Sequence, residues 1–188
     1  MPRLAIFASG NGSNAQRIIE YFNEYPAITI DLVLSNNADA YVLSRAANIG
    51  IPSAVFSRHT FYETNQVPEM LKANNIDYII LAGFLWLLPL NILSAYPGKI
   101  INIHPALLPK YGGKGMYGMK VHKAVIAAGD PESGITIHYV DECYDEGKII
   151  FQAKCQVSES DTPETLADKV HQLEYRYYPE VIEKIVTL

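Results

Sequence analysis

The chain is poor in cysteine, in positive charge and in long apolar stretches, and each shortage excludes a class of protein. Its 188 residues include only two cysteines, Cys143 and Cys155, which fit neither a disulfide framework nor a metal-binding pattern and indicate a reducing cytoplasm. A formal charge of -5 disfavours broad nucleic-acid binding, because contacts with phosphate backbones depend on clustered Lys and Arg. No N-terminal apolar stretch is long enough for a signal peptide or a membrane span.

Repeats, low-complexity tracts and linkers are lacking as well. With 49% hydrophobic and 19% charged residues, the composition is ordinary for a globular domain. A chain of this length buries roughly 70% of its unfolded surface on folding. Because apolar runs typical of buried strands alternate with segments of helical spacing, we predict one α/β domain over residues 1–188 with a mostly parallel sheet.

The segment 99–111 combines a predicted buried strand with two polar side chains at its end. Three isoleucines between positions 100 and 103 indicate the strand, which Pro105 ends by removing a backbone donor. Asn102 and His104 therefore lie where mostly parallel sheets bind ligands. Residues two apart on a strand project from one face, so the amide and the imidazole can converge on one substrate oxygen. A pair that only caps the strand end is the simpler alternative.

A glycine turn follows the first predicted strand. The apolar run 4–8 leads into Ser9-Gly10-Asn11-Gly12-Ser13-Asn14 and then into helical spacing, so free backbone amides at the helix start form an anion site. Gly10, Gly12 and Ala15 match the dinucleotide pattern, but the second strand ends in Ser35-Asn36-Asn37 without the acidic residue that holds a ribose. A simpler phosphate group is therefore favoured, and a turn that merely connects strand and helix remains the alternative.

Several elements are predicted between the glycine turn and the central segment. Residues 61–75 are predicted to be helical, although Pro68 interrupts the pattern and a later start of the helix is the alternative. Residues 77–82 form a continuous apolar run typical of a central parallel strand. The apolar stretch 84–90 after that strand is either core or the wall of a pocket for a flat ligand. Arg58 follows a third strand, predicted at 51–56 and at the sheet edge because of its proline, and a solvated surface charge fits this arginine as well as a ligand role.

An acidic turn lies between two further predicted strands, a half-exposed one at 134–140 and another at 149–157. Four carboxylates occur there within six residues, at Asp141, Glu142, Asp145 and Glu146. Such a cluster is ordinarily a solvated turn. One of the four could instead reach His104, raise its pKa and hold it in a working orientation. The residues alone do not select which one.

The last predicted element is a helix, with Pro163 in its first turn. Pro179 is expected to kink or end it, with a further helical piece over residues 181–188. His171 and Glu174 are three apart and share one face of this helix. Exposed surface positions are an equally good interpretation of both residues.

Together these motifs resemble those of the folate-dependent formyltransferases. The segment Asn102-Ile103-His104-Pro105-Ala106-Leu107-Leu108-Pro109 is similar to the signature of that family, and the loop 9–14 resembles the branch that formylates glycinamide ribonucleotide in purine (IMP) biosynthesis. The likeness runs along nearly the whole chain and includes 81–84 and 149–152. It implies a single-domain, Rossmann-like, three-layer αβα fold over residues 1–188 with a mostly parallel central sheet.

The resemblance also implies an activity. Members of that branch transfer the formyl group of 10-formyltetrahydrofolate, their co-substrate, to the amine of glycinamide ribonucleotide through a tetrahedral intermediate, with no metal and no ATP. The implied partners are these two small molecules, with no nucleic acid and no membrane. The implied location is the cytoplasm, and the chain is expected to act as a monomer or homodimer.

Individual positions match the functional residues of the family. Asn102, His104 and Asp145 match its catalytic residues, so the resemblance selects one carboxylate of the acidic turn. The ribonucleotide and its phosphate are expected at Gly10, Asn11, Gly12, Ser13, Asn14, His171 and Glu174. Folate is expected at Arg58, Leu85, Trp86, Leu87, Leu88, Asn102 and Asp141. Trp86 stands where the family often has a basic residue, and the glycine-rich segment 112–118 departs from the family pattern.

Other classes of protein share parts of these motifs. A methionyl-tRNA formyltransferase appends a tRNA-binding domain, which an acidic chain ending at Leu188 is not expected to carry. A formyltetrahydrofolate hydrolase has an extra N-terminal domain, whereas the first strand here is predicted from the fourth residue. A metal hydrolase is disfavoured because His104, His122 and His138 lack metal-ligand spacing. The hydrolase and a non-catalytic nucleotide-binding module are kept as the alternatives.

Overall fold

The computed structural model describes residues 1–25 and 27–187. Its strands are β1 (Arg3–Phe7), β2 (Thr29–Ser35), β3 (Ser53–Val55), β4 (Tyr78–Leu81), β5 (Ile100–His104), β6 (Glu132–Tyr139) and β7 (Ile149–Gln156). Its helices are α1 (Ser13–Asn23), α2 (Tyr41–Ile49), α3 (Arg58–Tyr62), α4 (Gln66–Ala73), α5 (Leu90–Ala95), α6 (Met119–Ala128) and α7 (Pro163–Val186).

The strands form one sheet of seven in the order β3-β2-β1-β4-β5-β6-β7. The first five in chain order pair in parallel, while β6 pairs antiparallel with β5, and β7 antiparallel with β6. The predicted mostly parallel α/β sheet is therefore confirmed, and β3 lies at its edge as expected. The strand order reverses between β1 and β4, and a crevice outside the carboxyl ends of strands at such a point is where open α/β sheets bind ligands.

The core lies on both faces of the sheet. In β1, Leu4 and Ile6 belong to one buried cluster, whereas Ala5 and Phe7 belong to a second, because successive side chains of a strand point to opposite faces. The first cluster includes residues of α1, α2, α6 and α7, and the second includes residues of α3, α4 and α5. These two covered faces give the three-layer αβα arrangement.

Two predictions about local structure are wrong. Residues 61–75 form two helices, because a Ser57 capping box starts α3 at Arg58 and the chain breaks before α4. Pro68 then lies in the first turn of α4, where the missing backbone donor costs no helical hydrogen bond. The strand predicted at 134–140 as half-exposed is buried from Ser133 to His138, because β6 is covered on both edges by β5 and β7 and on one face by α7.

The C-terminal helix begins as predicted and continues further than predicted. Thr162 caps α7 by accepting from the Thr165 amide, and Pro163 occupies its first turn. Pro179 lies inside the helix, which continues to Val186, so the expectation that this proline ends it is wrong. The final residue of the piece predicted at 181–188 lies outside the described residues. Within the described ranges, none of the helices is long and apolar enough to cross a bilayer.

Candidate active site

A cleft of about 390 Å³ lies at the carboxyl ends of β1, β4 and β5. Its walls are the loop 10–14, residues 82–85 after β4, residues 102–105 of and after β5, and the glycine-rich segment 113–118. The remaining lining side chains come from α6, the acidic turn and α7, at His122, Tyr144, Asp145, His171 and Glu174. The sheet therefore brings the predicted catalytic and ribonucleotide residues to one cavity.

The loop after β1 has the geometry of an anion site. Gly12 precedes α1 with φ 74°, a left-handed conformation, and an added Cβ there would lie 2.4 Å from the Val42 side chain. Only glycine fits this position without displacing α2. The first turn of α1 contains no acidic side chain, and its residues Ser13 and Asn14 line the cleft. The free amides of that turn can therefore receive a phosphate.

Asn102 and His104 both line the cleft, as their alternation along β5 predicts. The His104 ring is 4% exposed, and its Nε2 donates to the Tyr111 carbonyl at 2.7 Å. Its Nδ1 faces an Asp145 carboxylate oxygen at 3.4 Å. Asn102 is half-buried, and its amide nitrogen lies 3.1 Å from Nε2 of His138. Both side chains thus contact residues outside β5. A pair that only capped the strand end would not need these contacts.

Asp145 is the carboxylate of the acidic turn that reaches the two imidazoles. Its side chain is 11% exposed, and one oxygen accepts from the Gly113 amide at 3.0 Å. The other oxygen lies 3.6 Å from Nε2 of His138. Asp145 itself has φ 58°, and the turn that contains it is fixed by Gly147, where an added Cβ would lie 1.7 Å from the Tyr139 carbonyl oxygen. The carboxylates at Asp141, Glu142 and Glu146 belong to exposed residues.

Burial and charge act in opposite directions on these groups. Burial lowers the pKa of His104 below its ordinary value and outweighs the Asp145 charge and the Tyr111 hydrogen bond, which both raise it. The upward effect of the Asp145 charge is as expected, but in the free protein the burial of the ring outweighs it. Burial alone would raise the pKa of Asp145, but the proximity of His138 and His104 and the hydrogen bond from the Gly113 amide together lower it. Asp145 is thus a carboxylate at neutral pH beside a neutral imidazole.

His138 is a site residue that sequence reasoning missed. Its Nδ1 lies 2.8 Å from the Tyr139 carbonyl, and because a carbonyl only accepts, Nδ1 carries the hydrogen. With Nε2 as the acceptor, the Asn102 amide donates one hydrogen to His138, and its second amide hydrogen has no partner among the described residues. The antiparallel pairing of β6 with β5 places His138 directly opposite Asn102. No local signal announces that pairing, because it joins residues 36 apart in sequence.

The far end of the cleft holds two histidines and a buried carboxylate. The Asn14 amide donates to a Glu174 carboxylate oxygen at 2.8 Å, and burial raises the pKa of Glu174. Glu174 is 6% exposed, so its interpretation as a surface residue is wrong. The fully buried Tyr178, one turn along α7, donates to backbone carbonyls of β4 and β5 and so holds this turn on the sheet.

His122 lies beside His171 in this part of the cleft, with ring centroids 6.5 Å apart. Burial, followed by the charges of His171 and His104, lowers the pKa of His122 to about 4. Its Nδ1 is buried and has no hydrogen-bond partner among the described residues. Sequence reasoning noted His122 only for its lack of metal-ligand spacing. A neutral, unpartnered imidazole in the cavity wall is available to a bound polar molecule.

The predicted folate residues are divided between the cleft and a neighbouring aromatic cluster. Leu85 and Asn102 line the cleft, and Leu85 is 44% exposed. Trp86 packs near Phe84, which lines the cleft, and the Arg58 guanidinium lies 5.7 Å from the centre of the Trp86 ring. Trp86 and Arg58 thus belong to the aromatic cluster and do not line the cleft.

Three remaining folate predictions have local contacts of their own. The Leu87 carbonyl accepts from the Tyr62 hydroxyl at 2.9 Å, and Leu88 is buried in the core below the aromatic cluster. Asp141 is exposed in the acidic turn and accepts from the Cys143 amide at 2.9 Å. Residues 84–90 are thus partly core and partly cavity wall. The folate roles of these residues stay predictions.

The glycine-rich segment forms the outer wall of the cleft. Gly113, Gly115 and Gly118 all have positive φ, which allows the chain to fold over the cavity in a path that other residues rarely follow. The bond from the Gly113 amide to Asp145 ties this wall to the catalytic candidates. Among the described residues, no cluster of three or more His, Cys, Asp or Glu side chains is arranged to hold a metal ion.

The chain is similar to known proteins over nearly its whole length. The family model described as formyl transferase matches residues 2–182. The chain is 41% identical over 97% of its length to the chloroplastic phosphoribosylglycinamide formyltransferase of Arabidopsis thaliana, and covers 65% of that protein. It is 37% identical over its whole length to the phosphoribosylglycinamide formyltransferase of Bacillus subtilis (strain 168), and covers 96% of it.

A solved structure agrees with these relatives. The crystal structure of phosphoribosylglycinamide formyltransferase from Streptococcus pneumoniae TIGR4 matches with a TM-score of 0.87 at 37% identity, and 99% of each chain is covered. The chain thus spans nearly all of the bacterial relatives and 65% of the Arabidopsis protein. On the family match and these identities, the chain belongs to the formyl transferase family.

Proposed function

We propose that the chain transfers the formyl group of 10-formyltetrahydrofolate to the amine of glycinamide ribonucleotide, in purine biosynthesis. The observation that carries this proposal is that Asn102, His104 and Asp145 line the same cleft as an anion-binding loop. The buried His138 contacts Asn102 and Asp145 from behind them. The relatives' names support the choice of substrate, since the described proteins are phosphoribosylglycinamide formyltransferases. None of them supports the hydrolase or the binding module.

The reaction begins when the amine nitrogen attacks the formyl carbon. A carbon–nitrogen bond forms, and the carbonyl oxygen takes a negative charge in a tetrahedral intermediate. The free amide hydrogen of Asn102 is the donor placed to bind that oxygen, and a preorganised donor of this kind is typically worth about 10²- to 10³-fold in rate. The bond from this carbon to the folate nitrogen then breaks as the carbonyl re-forms.

His104 and Asp145 are proposed to manage the charge and the proton. In the free protein burial keeps the His104 ring neutral, but a developing oxyanion beside it favours the imidazolium, which Asp145 stabilises at 3.4 Å. The pair can therefore take up the proton that leaves the attacking amine and return it to the departing folate nitrogen. The cost of burying the ring is thus overcome at the stage of the reaction when negative charge appears.

The two substrates are proposed to enter from opposite ends of the cleft. The phosphate binds the loop 10–14, and the Glu174 carboxylate with His171 faces the rest of the ribonucleotide. The formyl folate is proposed to lie beside Leu85 and Asn102, which line the cleft. We propose no metal, no nucleic acid and no membrane as partners. The cytoplasm is the proposed location, in keeping with the free thiols of Cys143 and Cys155.

A folate absorbance assay tests the function. The purified protein is mixed with 10-formyltetrahydrofolate, with and without glycinamide ribonucleotide, and release of tetrahydrofolate is followed. We expect turnover only when the ribonucleotide is present. Turnover without it would support a hydrolase, and no turnover under either condition would support a binding module.

A further inference from the structure

We propose that Arg45 of α2 is a positioning residue that holds the phosphate loop in its binding conformation from outside the cleft. This inference rests on the proposed function, because the phosphate it concerns is that of the ribonucleotide. Asn11 lines the cleft, whereas Arg45 does not. Any effect of the arginine on the bound phosphate must therefore pass through the loop or through its charge.

The Arg45 guanidinium uses all three of its nitrogens on the loop and on the helix that follows it. Nε donates to the Asn11 carbonyl at 2.8 Å, and Nη2 donates to the Asn11 side-chain oxygen at 2.6 Å. Nη1 donates to the Gln16 amide oxygen in α1. A planar fork that holds one residue by both its backbone and its side chain fixes orientation as well as distance.

The rest of α2 holds the neighbouring loop residues. The Val42 amide donates to the Gly10 carbonyl at 3.1 Å, and the Val42 side chain fills the space beside Gly12. Three successive loop residues are thus each held by α2. Among the described residues of α2, only Arg45 forms hydrogen bonds with Asn11. Arg45 in turn lies over the Tyr41 ring, at 4.8 Å from its centre.

A loop of this composition needs such a support. Glycine has the largest conformational freedom of any residue, and at Gly10 no atom would touch an added Cβ within 4 Å, so neighbouring packing does not confine it. An anion site depends on several amides that point to one place at once. Ordering the loop before the phosphate arrives removes part of the entropy cost of binding, so Arg45 strengthens binding of the ribonucleotide without touching it.

The test separates geometry from charge. Arg45→Gln removes the fork and the charge, and Arg45→Lys keeps the charge but cannot reproduce the fork. Arg176→Gln is the matched control, because Arg176 is an arginine over a tyrosine ring, at 4.9 Å from Tyr177, on the exposed side of α7. For each protein, kcat, both KM values, the melting temperature and the inhibition constant for inorganic phosphate are measured.

We expect Arg45→Gln to raise the KM for the ribonucleotide and the inhibition constant for inorganic phosphate by about tenfold, the size of one or two partly exposed hydrogen bonds. The kcat and the folate KM should change less than about twofold, because Arg45 does not line the cleft where the reaction takes place. Arg45→Lys should restore only part of the loss, and Arg176→Gln should resemble the unmodified protein.

Two results would overturn the positioning role. Unchanged ribonucleotide KM in Arg45→Gln would show that the loop does not need the arginine, and full restoration by Arg45→Lys would show that charge alone suffices. If the unmodified protein fails to use the ribonucleotide, the proposed function is wrong. In that case phosphate binding, followed by the shift that phosphate produces in the melting temperature, still reports whether Arg45 orders the loop.

Discussion

Replacing Asp145 by asparagine should lower turnover far more than it lowers substrate affinity. The change keeps the shape of the side chain and leaves an oxygen to accept from the Gly113 amide, so the glycine-rich wall of the cleft should stay in place. What it removes is the negative charge 3.4 Å from Nδ1 of His104. That charge favours the imidazolium at the stage when the oxyanion forms.

The size of the effect follows from the distance. At 3.4 Å and an effective dielectric constant of about 20, Coulomb's law gives about 5 kcal/mol between unit charges. The full value corresponds to more than about 10³-fold in rate, since each 1.36 kcal/mol is tenfold. Part of the charge on Asp145 is already engaged by the Gly113 amide. We therefore expect kcat to fall by about 10²- to 10³-fold.

Steady-state kinetics by folate absorbance, with both substrates varied, measures this effect. Glu142→Gln is the matched control, because it removes one negative charge from the exposed part of the same turn and should leave kcat within about twofold. Both variants are checked for the melting temperature of the unmodified protein. A folded Asp145→Asn variant with undiminished kcat would remove this carboxylate from the mechanism.

Three further changes test other parts of the account. Asn102→Ala should lower kcat by about 10²- to 10³-fold with little change in either KM, and equal losses in KM would contradict its role as an oxyanion donor. In His122→Asn, the free energy of unfolding by urea should depend less on pH. In the unmodified protein the folded histidine, with a pKa of about 4, resists the proton that the unfolded one takes up near 6.5, so acidification between those values lowers stability by about 3 kcal/mol. The variant should not show this loss. Parallel stability curves would refute this. Gly134→Ala should destabilise the fold by about 1–3 kcal/mol or more, because the new Cβ would lie 1.9 Å from the Ala153 carbonyl oxygen, and an unchanged melting temperature would contradict that packing.

The parts of the fold that sequence could predict are those with a local signal. Continuous apolar runs marked β1, β4 and β5, and the glycine pattern marked the turn before α1. The split between α3 and α4 was missed because the interruption of the helical spacing at Pro68 does not show where the first helix ends, while the Ser57 capping box defined a shorter helix. Pro179 was expected to disrupt α7, but packing of the helix against the sheet outweighs the preference of one residue.

The parts of the site that sequence could not predict depend on contacts between distant segments. Asn102 and His104 follow from one strand, but their partner His138 requires the antiparallel pairing of β5 and β6. The burial of Glu174 likewise depends on how α7 lies on the sheet, and helical spacing shows only which residues share a face. The net lowering of the His104 pKa could not be predicted for the same reason, because the cost of burying the ring becomes known only with the fold.

The measurement that tests the central claim most directly is the fate of the formyl carbon. 10-Formyltetrahydrofolate labelled with carbon-13 in the formyl group is incubated with the protein and glycinamide ribonucleotide, and the products are followed by NMR. The account predicts that the label appears in a formamide on the ribonucleotide amine, in step with the loss of formyl folate. Label that appears as free formate, or label that stays on the folate, would contradict it.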